Sequence, residues 1–450
     1  MGQKEQVFSK HMTGKKTREH LDRFNDLLKG MMAPGEKKQG PLEGLEVIEA
    51  GNANFPGMIC AAMLGEMGAR VIKIEPPGGD AARETTYSGI YLNGAGIPFV
   101  MESRNKRLVT ADLDDPSELN RVSKLMADAE VVIDAMPPGY LDTHAVGYRQ
   151  LSQINPSLVY AALAPYGHYT SKAKDARHIP DTDLTAQAES GYPALTGNPD
   201  AAEPYNYPLR AGIWTAAYTS AAVAVAGILT ALLFRLGTGR GQMVDVATYD
   251  ALSAWQAFSL VWGFTSEEPR QRIGNFDWCL FPYGYYKAKD GYVTVAAASD
   301  GDFRGLLKIL GRWDLEDDWR YLFDRIADDP HRLGELEKEI KKEVAKYTRK
   351  ELYDKTFAYG AKAARDKLRS KGFPIVVETR TPQEAAKDKH WEIRNSFSYI
   401  QAEGAGKITL PSLPPRMSET PSKINWVRTA LGADDALIRE TGQDLKTGNV

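Results

Sequence analysis

The sequence predicts an α/β protein with a large Rossmann-like domain and a smaller α+β domain. Three observations predict it. From Pro41 onward, short Val- and Ile-rich runs alternate with helical stretches, the pattern of parallel crossover units. Residues 216–233 form an uncharged stretch that ends near Gly237, Gly239 and Gly241, as a buried helix would. Beyond about residue 264 the pattern changes to a hairpin signal followed by charged helices.

The bulk numbers bound the function. With 450 residues the chain can hold two domains and a large core. A formal net charge of −3 argues against a nucleic-acid binder, which would be basic. Cys60 and Cys279 are the only cysteines, which excludes a disulfide framework or a thiolate metal site. Residues 1–20 lack the apolar core of a signal peptide, and Gln6 departs from the myristoylation pattern after Gly2. The expected location is the cytoplasm.

Residues 1–42 read as an extension. Leu21, Phe24, Leu28 and Met31 recur at helical spacing. This is a helix packed on the main body, or a clasp for a partner subunit. Residues 43–263 read as the first part of the large domain. Leu45-Glu46-Val47-Ile48-Glu49 is a strand, residues 58–67 a helix, and Val71-Ile72-Lys73-Ile74-Glu75 the next strand. Strand, helix and strand make a right-handed parallel crossover. A helix at 118–129 leads to Glu130-Val131-Val132-Ile133-Asp134, and Ser157-Leu158-Val159-Tyr160-Ala161-Ala162 follows. The segment after the first strand, Gly51-Asn52-Ala53-Asn54-Phe55-Pro56-Gly57, does not fit the G-x-G-x-x-G dinucleotide fingerprint, so the fold alone supplies no function.

Residues 216–233 are long enough to span a membrane, but small residues hold half the positions, so a buried helix of a soluble protein is expected. Arg235 and Arg240 sit near its negative end. MVDVATYDAL then reads as a strand and a helix. The small domain is expected at residues 264–400. It has a turn and strand at Asp290-Gly291-Tyr292-Val293, a helix ending at Gly311, and charged helices over 334–371. Leu336, Ile340, Val344 and Leu352 are among the apolar positions of those helices. Residues 401–450 are expected to return to the large domain.

The central stretch GILTALLFRLGTGRGQMVDVATYDA resembles the core helix and turn of the class III CoA-transferases, the formyl-CoA transferase and carnitine CoA-transferase family. MLGEMGARVIKIEPPGGDAAR, Arg104-Asn105-Lys106-Arg107 before VTADLDDP, AEVVIDAMPPG, NPSLVYAALAPYG and Asp183-Leu184-Thr185-Ala186-Gln187-Ala188 match further family segments in order, over about residues 43–430. The resemblance implies two chains interlocked as linked rings. It also implies an aspartate nucleophile in a GD pair ten residues before Gly227; here those positions hold Ala216 and Ala217. The nucleophile position is therefore occupied by Ala217. Asp183 matches a family acid beside the nucleophile. It could support the site, replace the nucleophile, or cap the helix that it precedes, with Asp181 a competitor for the cap.

The family's CoA contacts are also expected to be degenerate, with Pro76, Asp114, Ala135 and Thr143 at the matching positions. None of these supplies a cation for phosphates. Phe276, Trp278, Phe281 and Tyr283 lie in an aromatic segment where the family has a glycine-rich loop. They could pack a domain junction or wall an acyl pocket. His144, His168, His178 and His331 show no metal spacing. A 2-methylacyl-CoA racemase would need a G-H-D segment, but His178 is displaced from it.

The expectation is therefore a non-catalytic subunit of a heteromeric CoA-transferase, with a homologous catalytic subunit as partner. CoA thioesters, succinyl-CoA among them, would be substrates, with no tightly bound cofactor and no metal. A benzylsuccinate-type acid is a guess by resemblance. The alternatives are a self-sufficient transferase using Asp183, and a scaffold or regulatory protein without an active site.

Overall fold

The structure is a computed structural model that describes residues 15–32, 38–176, 183–266, 271–277, 280–315, 330–365, 374–402 and 404–439. The chain divides into two units. The larger comprises residues 24–193, 210–270 and 390–450; the smaller comprises residues 1–23, 194–209 and 271–389.

The larger unit is α/β. Its strands are β1 (Glu46–Gly51), β2 (Arg70–Glu75), the short hairpin β3 (Tyr91–Leu92) and β4 (Ala95–Gly96), β5 (Lys106–Thr110), β6 (Val131–Ala135), β7 (Val159–Ala164) and β8 (Gln242–Ala247). Six of them form a sheet in the order β5-β2-β1-β6-β7-β8, and every pairing is parallel. The order runs outward in both directions from β1, so helices cover both faces. One face packs Val47, Val71, Ile133 and Ala161 beneath helices; the other packs Ile48, Ile72, Val132 and Tyr160. This alternation explains why the strands are apolar at successive positions.

Residue chemistry sets the helix ends. Helix Phe55–Glu66 starts at Asn54, whose side chain accepts from Gly57 N–H, with Pro56 in the first turn. Helix Pro116–Asp128 is capped by Asp115. The central helix, Thr215–Thr238, ends at Gly239 in the left-handed region (φ 71°), where no side chain is strained. Gly237, expected to stop it, lies inside it. Gly227 lets the helix press onto β8, because a Cβ there would lie 2.6 Å from Val244 Cγ1. The helix is long and apolar enough to cross a membrane, yet Ala221, Ala224, Ile228 and Ala231 are buried in the core on the sheet.

β5 ends at Thr110. Asp112 N–H donates to Glu118, and its carboxylate accepts from Asp114 N–H at 3.0 Å, which turns the chain.

The Arg104-Asn105-Lys106 motif is structural. Arg104 pairs with Glu66 and Glu102. Asn105 donates to the carbonyls of Gly65 and Lys423 and accepts from Asn425 N–H. Lys106 donates to Glu49 (2.6 Å) and to the Met58 carbonyl (2.7 Å). The returning C-terminal segment is fastened to the same places: Leu413 N–H donates to Glu66, and Arg83 donates to the Thr429 carbonyl. The hairpin β12 (Phe397–Ala402) and β13 (Gly406–Pro411) belongs to this return.

The smaller unit holds an antiparallel sheet of β9 (Tyr283–Ala288), β10 (Gly291–Ala296) and β11 (Ile375–Thr379) in the order β11-β10-β9. Helices Asp300–Leu310, Pro330–Val344 and Arg349–Arg365 accompany it. Phe281, Tyr286, Val293, Phe303, Leu336, Ile340, Val344 and Leu352 form its core. In helix Lys15–Met32 the apolar side chains Phe24, Leu27 and Met31 are exposed, so the apolar stripe is uncovered within the chain.

Candidate active site

The site is assembled at helix N-termini and at loops that follow the carboxyl ends of β1 and β8, the usual ligand position in an open parallel sheet. Ala53, Phe55 and Pro56 come from the loop and helix after β1. Thr248 follows β8. Arg210, Trp214 and Ala217 come from the entry to the central helix, and Asp183 and Leu184 from helix Asp183–Ser190. With Thr85 they enclose a cavity of about 430 Å³ in the larger unit.

Asp183 closes the first turn of the central helix. Its Oδ1 accepts from Ala216 N–H at 2.7 Å and Ala217 N–H at 3.1 Å. The residue preceding that helix, Trp214, makes no side-chain cap, so Asp183 supplies the acceptor from elsewhere in the chain. Its other oxygen accepts from the Gln187 amide. Gln187 is fully buried, and its Oε1 accepts from Ala211 N–H at 2.9 Å. One carboxylate and one amide thus bind helix Asp183–Ser190, the 210–214 segment and the central helix together. The cap expected of Asp183 exists, but on another helix than the one it begins.

Ala217 stands on the cavity wall at 2% exposure. A methyl group there offers neither a lone pair nor a proton. Tyr218, the next residue, donates from its hydroxyl to Glu102 at 2.9 Å. The apolar wall is aromatic: the Phe55 and Trp214 rings have centroids 4.4 Å apart, and Tyr87 lies 6.0 Å from Trp214.

A buried charge network fixes the loop that carries Ala53 and leads to Phe55. Asp80 Oδ1 accepts from Ala53 N–H at 2.7 Å and Ala82 N–H at 2.8 Å. Its Oδ2 pairs with Lys73, which also pairs with Glu49, and Glu49 pairs with Lys106. Burial raises the Glu49 carboxyl, but Lys106 and Lys73 outweigh it and hold it below its ordinary value. Asp80 is held low in the same way: burial is overcome by Lys73 and by the N–H groups of Ala82 and Ala53. Ala53 itself has a positive φ of 54°, which the Asp80 contact stabilises.

Pro76, Asp114, Ala135 and Thr143 lie after, or at, the carboxyl ends of β2, β5 and β6. Ala135 is buried, and its methyl fills the space over two glycines: a Cβ on Gly57 would lie 2.4 Å from it and one on Gly51 2.9 Å. Asp114 pairs with His144 Nε2 at 3.1 Å, a histidine that the sequence was read for only in terms of metal spacing. A hydrogen bond to the Tyr140 carbonyl and the bond to Asp114 hold the His144 imidazole above its ordinary value.

The aromatic segment of the smaller unit is divided. Phe281 is fully buried in that unit's core, so it offers no wall to a ligand, and Phe276 packs on it with centroids 5.4 Å apart. Tyr283 is exposed at 45%. Trp278, like Asp181 and His178, lies outside the described residues. The aromatic groups that do line the cavity, Phe55 and Trp214, were not legible. Phe55 read as an ordinary loop residue, and Trp214 stood just outside the apolar stretch.

An open parallel sheet with a cavity at the start of a small-residue helix defines an α/β protein with a ligand site at its strand ends. CoA-transferase family III matches residues 42–435, and the chain belongs to that family. It is similar to two Chloroflexus aurantiacus proteins. One is the alpha subunit of succinyl-CoA–L-malate CoA-transferase (29% identity, 95% of this chain and 95% of that one). The other is the beta subunit (30% identity, 87% and 91%). Among solved structures it is similar to a CAIB/BAIF family protein from Brucella suis, with 27% identity, a TM-score of 0.72, and coverage of 90% of this chain and 100% of that one.

Proposed function

We propose that this chain is the non-catalytic subunit of a heteromeric CoA-transferase acting in the cytoplasm. The complex moves CoA between an acyl-CoA donor, succinyl-CoA by analogy with the relatives, and a carboxylic acid. The observation that carries the reading is Ala217, on the cavity wall where the family resemblance calls for a nucleophilic carboxylate. The transfer needs that carboxylate to attack the thioester carbonyl, releasing CoA thiolate and leaving a mixed anhydride. The thiolate then attacks the enzyme-side carbonyl, expelling the donor acid and forming an enzyme thioester. The acceptor carboxylate attacks that thioester, releasing the thiolate and forming a second anhydride, which the thiolate cleaves to the new acyl-CoA and the regenerated carboxylate. Alanine can begin none of these steps.

Asp183 is the nearest substitute, but both of its oxygens are engaged by Ala216, Ala217 and Gln187. Its geometry suits a cap and a support for the cavity more than an attacking group. Two relatives named as alpha and beta subunits, both similar to this chain, support a heteromeric arrangement.

The test is turnover. The purified chain is expected to give no CoA transfer from succinyl-CoA to a panel of acids, and co-purification with a homologue carrying the aspartate is expected to give it. Robust turnover by the homogeneous chain, abolished by Asp183→Asn, would overturn the reading and establish Asp183 as the nucleophile.

A further inference from the structure

Loss of a nucleophile does not abolish a cavity. In this chain the space beside Ala217 remains open, about 430 Å³, and its walls differ in chemistry. One wall is apolar, made by the Phe55 and Trp214 rings, tilted 50° to each other, with Pro56. At the opening lies Arg210, exposed, whose only hydrogen bond among the described residues is a 3.3 Å contact to the Ala211 carbonyl. The one acid on the lining, Asp183, has its oxygens turned to the donors of Ala216, Ala217 and Gln187.

We infer that this cavity is a binding site for a free carboxylic acid bearing an aryl or similarly flat apolar group. The ring lies on Phe55 and Trp214, and the carboxylate is taken by Arg210. The inference rests on the silent-subunit reading, because a subunit that cannot form an anhydride can hold the acid without consuming it. An aromatic pair favours a flat apolar body over a short aliphatic one, through buried area and ring geometry. A guanidinium matches a carboxylate with two parallel donors and keeps its charge at any working pH.

The test is calorimetry on the full chain with 3-phenylpropionate, butyrate and 3-phenylpropionyl-CoA. The expected result is binding of 3-phenylpropionate at least about ten-fold tighter than butyrate. Arg210→Gln, at an exposed position, is expected to weaken 3-phenylpropionate by about ten-fold or more. Trp214→Leu is expected to remove the preference for the aryl acid while leaving butyrate unchanged. Equal affinity for the two acids, indifference to Arg210→Gln, or binding of the thioester alone would each overturn the inference. Thioester turnover in the same samples is a separate readout. Turnover overturns the silent-subunit reading and leaves the binding result to stand or fall by itself.

Discussion

At the residue scale the central question is what Asp183 does in the absence of an aspartate at position 217. Its carboxylate answers the free N–H groups of a helix 33 residues later in the chain. Removing a side-chain cap costs about 1–2 kcal/mol, so Asp183→Ala should lower stability by that amount in chemical denaturation. Asp183→Asn keeps an acceptor oxygen and should cost less. Equal losses for the two variants would show that the cap is not the stabilising contact. Ala217→Asp should place a second carboxylate at a buried position beside the first. Burial and the like charge both raise the pKa of the new acid. A raised folded-state value means that stability is retained below the ordinary carboxyl pKa and is lost as pH rises through the raised one. Thermal unfolding should therefore show a larger deficit for Ala217→Asp at pH 8 than at pH 5, and equal deficits would count against it. The sequence disclosed the aspartate's preference for capping. It did not disclose which helix Asp183 caps, because that pairing depends on tertiary approach and not on local spacing.

At the element scale the parallel sheet was legible and the network beneath it was not. β1, β2, β6 and β7 announce themselves through Val and Ile runs bounded by turns. Glu49, Lys73 and Lys106 interrupt those runs, and a charged residue in a strand reads by default as a solvent-facing position. All three are fully buried: Glu49 on β1 pairs with Lys73 on the adjacent β2 and with Lys106 on β5, the strand beyond it. Removing one partner leaves buried charges uncompensated, so Lys73→Met should destabilise by roughly 3–5 kcal/mol in urea denaturation at neutral pH. A loss below about 1 kcal/mol, the scale of an exposed pair, would contradict the buried geometry. Glu49 and Asp80 are held below their ordinary values, so their contribution is full above the unfolded carboxyl pKa of about 4 and is lost as pH falls through the lower folded values. The Lys73→Met deficit should accordingly shrink as the solution is acidified below about pH 4. The second unread feature is the end of β5 at Thr110. The Asp112 turn prevailed because its side chain supplies acceptors that a ladder there would not.

At the scale of the whole molecule, apolar surface remains uncovered. In the larger unit Leu233, Leu236, Val261 and Phe264 are exposed at 69%, 83%, 62% and 86%, and the stripe of helix Lys15–Met32 is likewise open. The sequence could not separate these residues from core, because an interface side chain and a core side chain have the same composition. The stretch read as a wholly buried helix ends in Leu233, which faces outward. Scattered exposed apolar residues are ordinary. The interlocked arrangement implied by the family resemblance would bury such a surface in a large obligate interface. On the proposed silent-subunit reading, the partner is a homologue that carries the aspartate. Co-expression with such a homologue, followed by native mass spectrometry, should therefore give a hetero-oligomer with one or two copies of each chain. Replacing Leu236 and Phe264 with serine should weaken that species at low concentration and leave the isolated chain folded, because neither side chain is part of its core. A stable homodimer that ignores every co-expressed active homologue would sink the heteromer. A hetero-oligomer unaffected by the two serines would place the interface elsewhere on the surface.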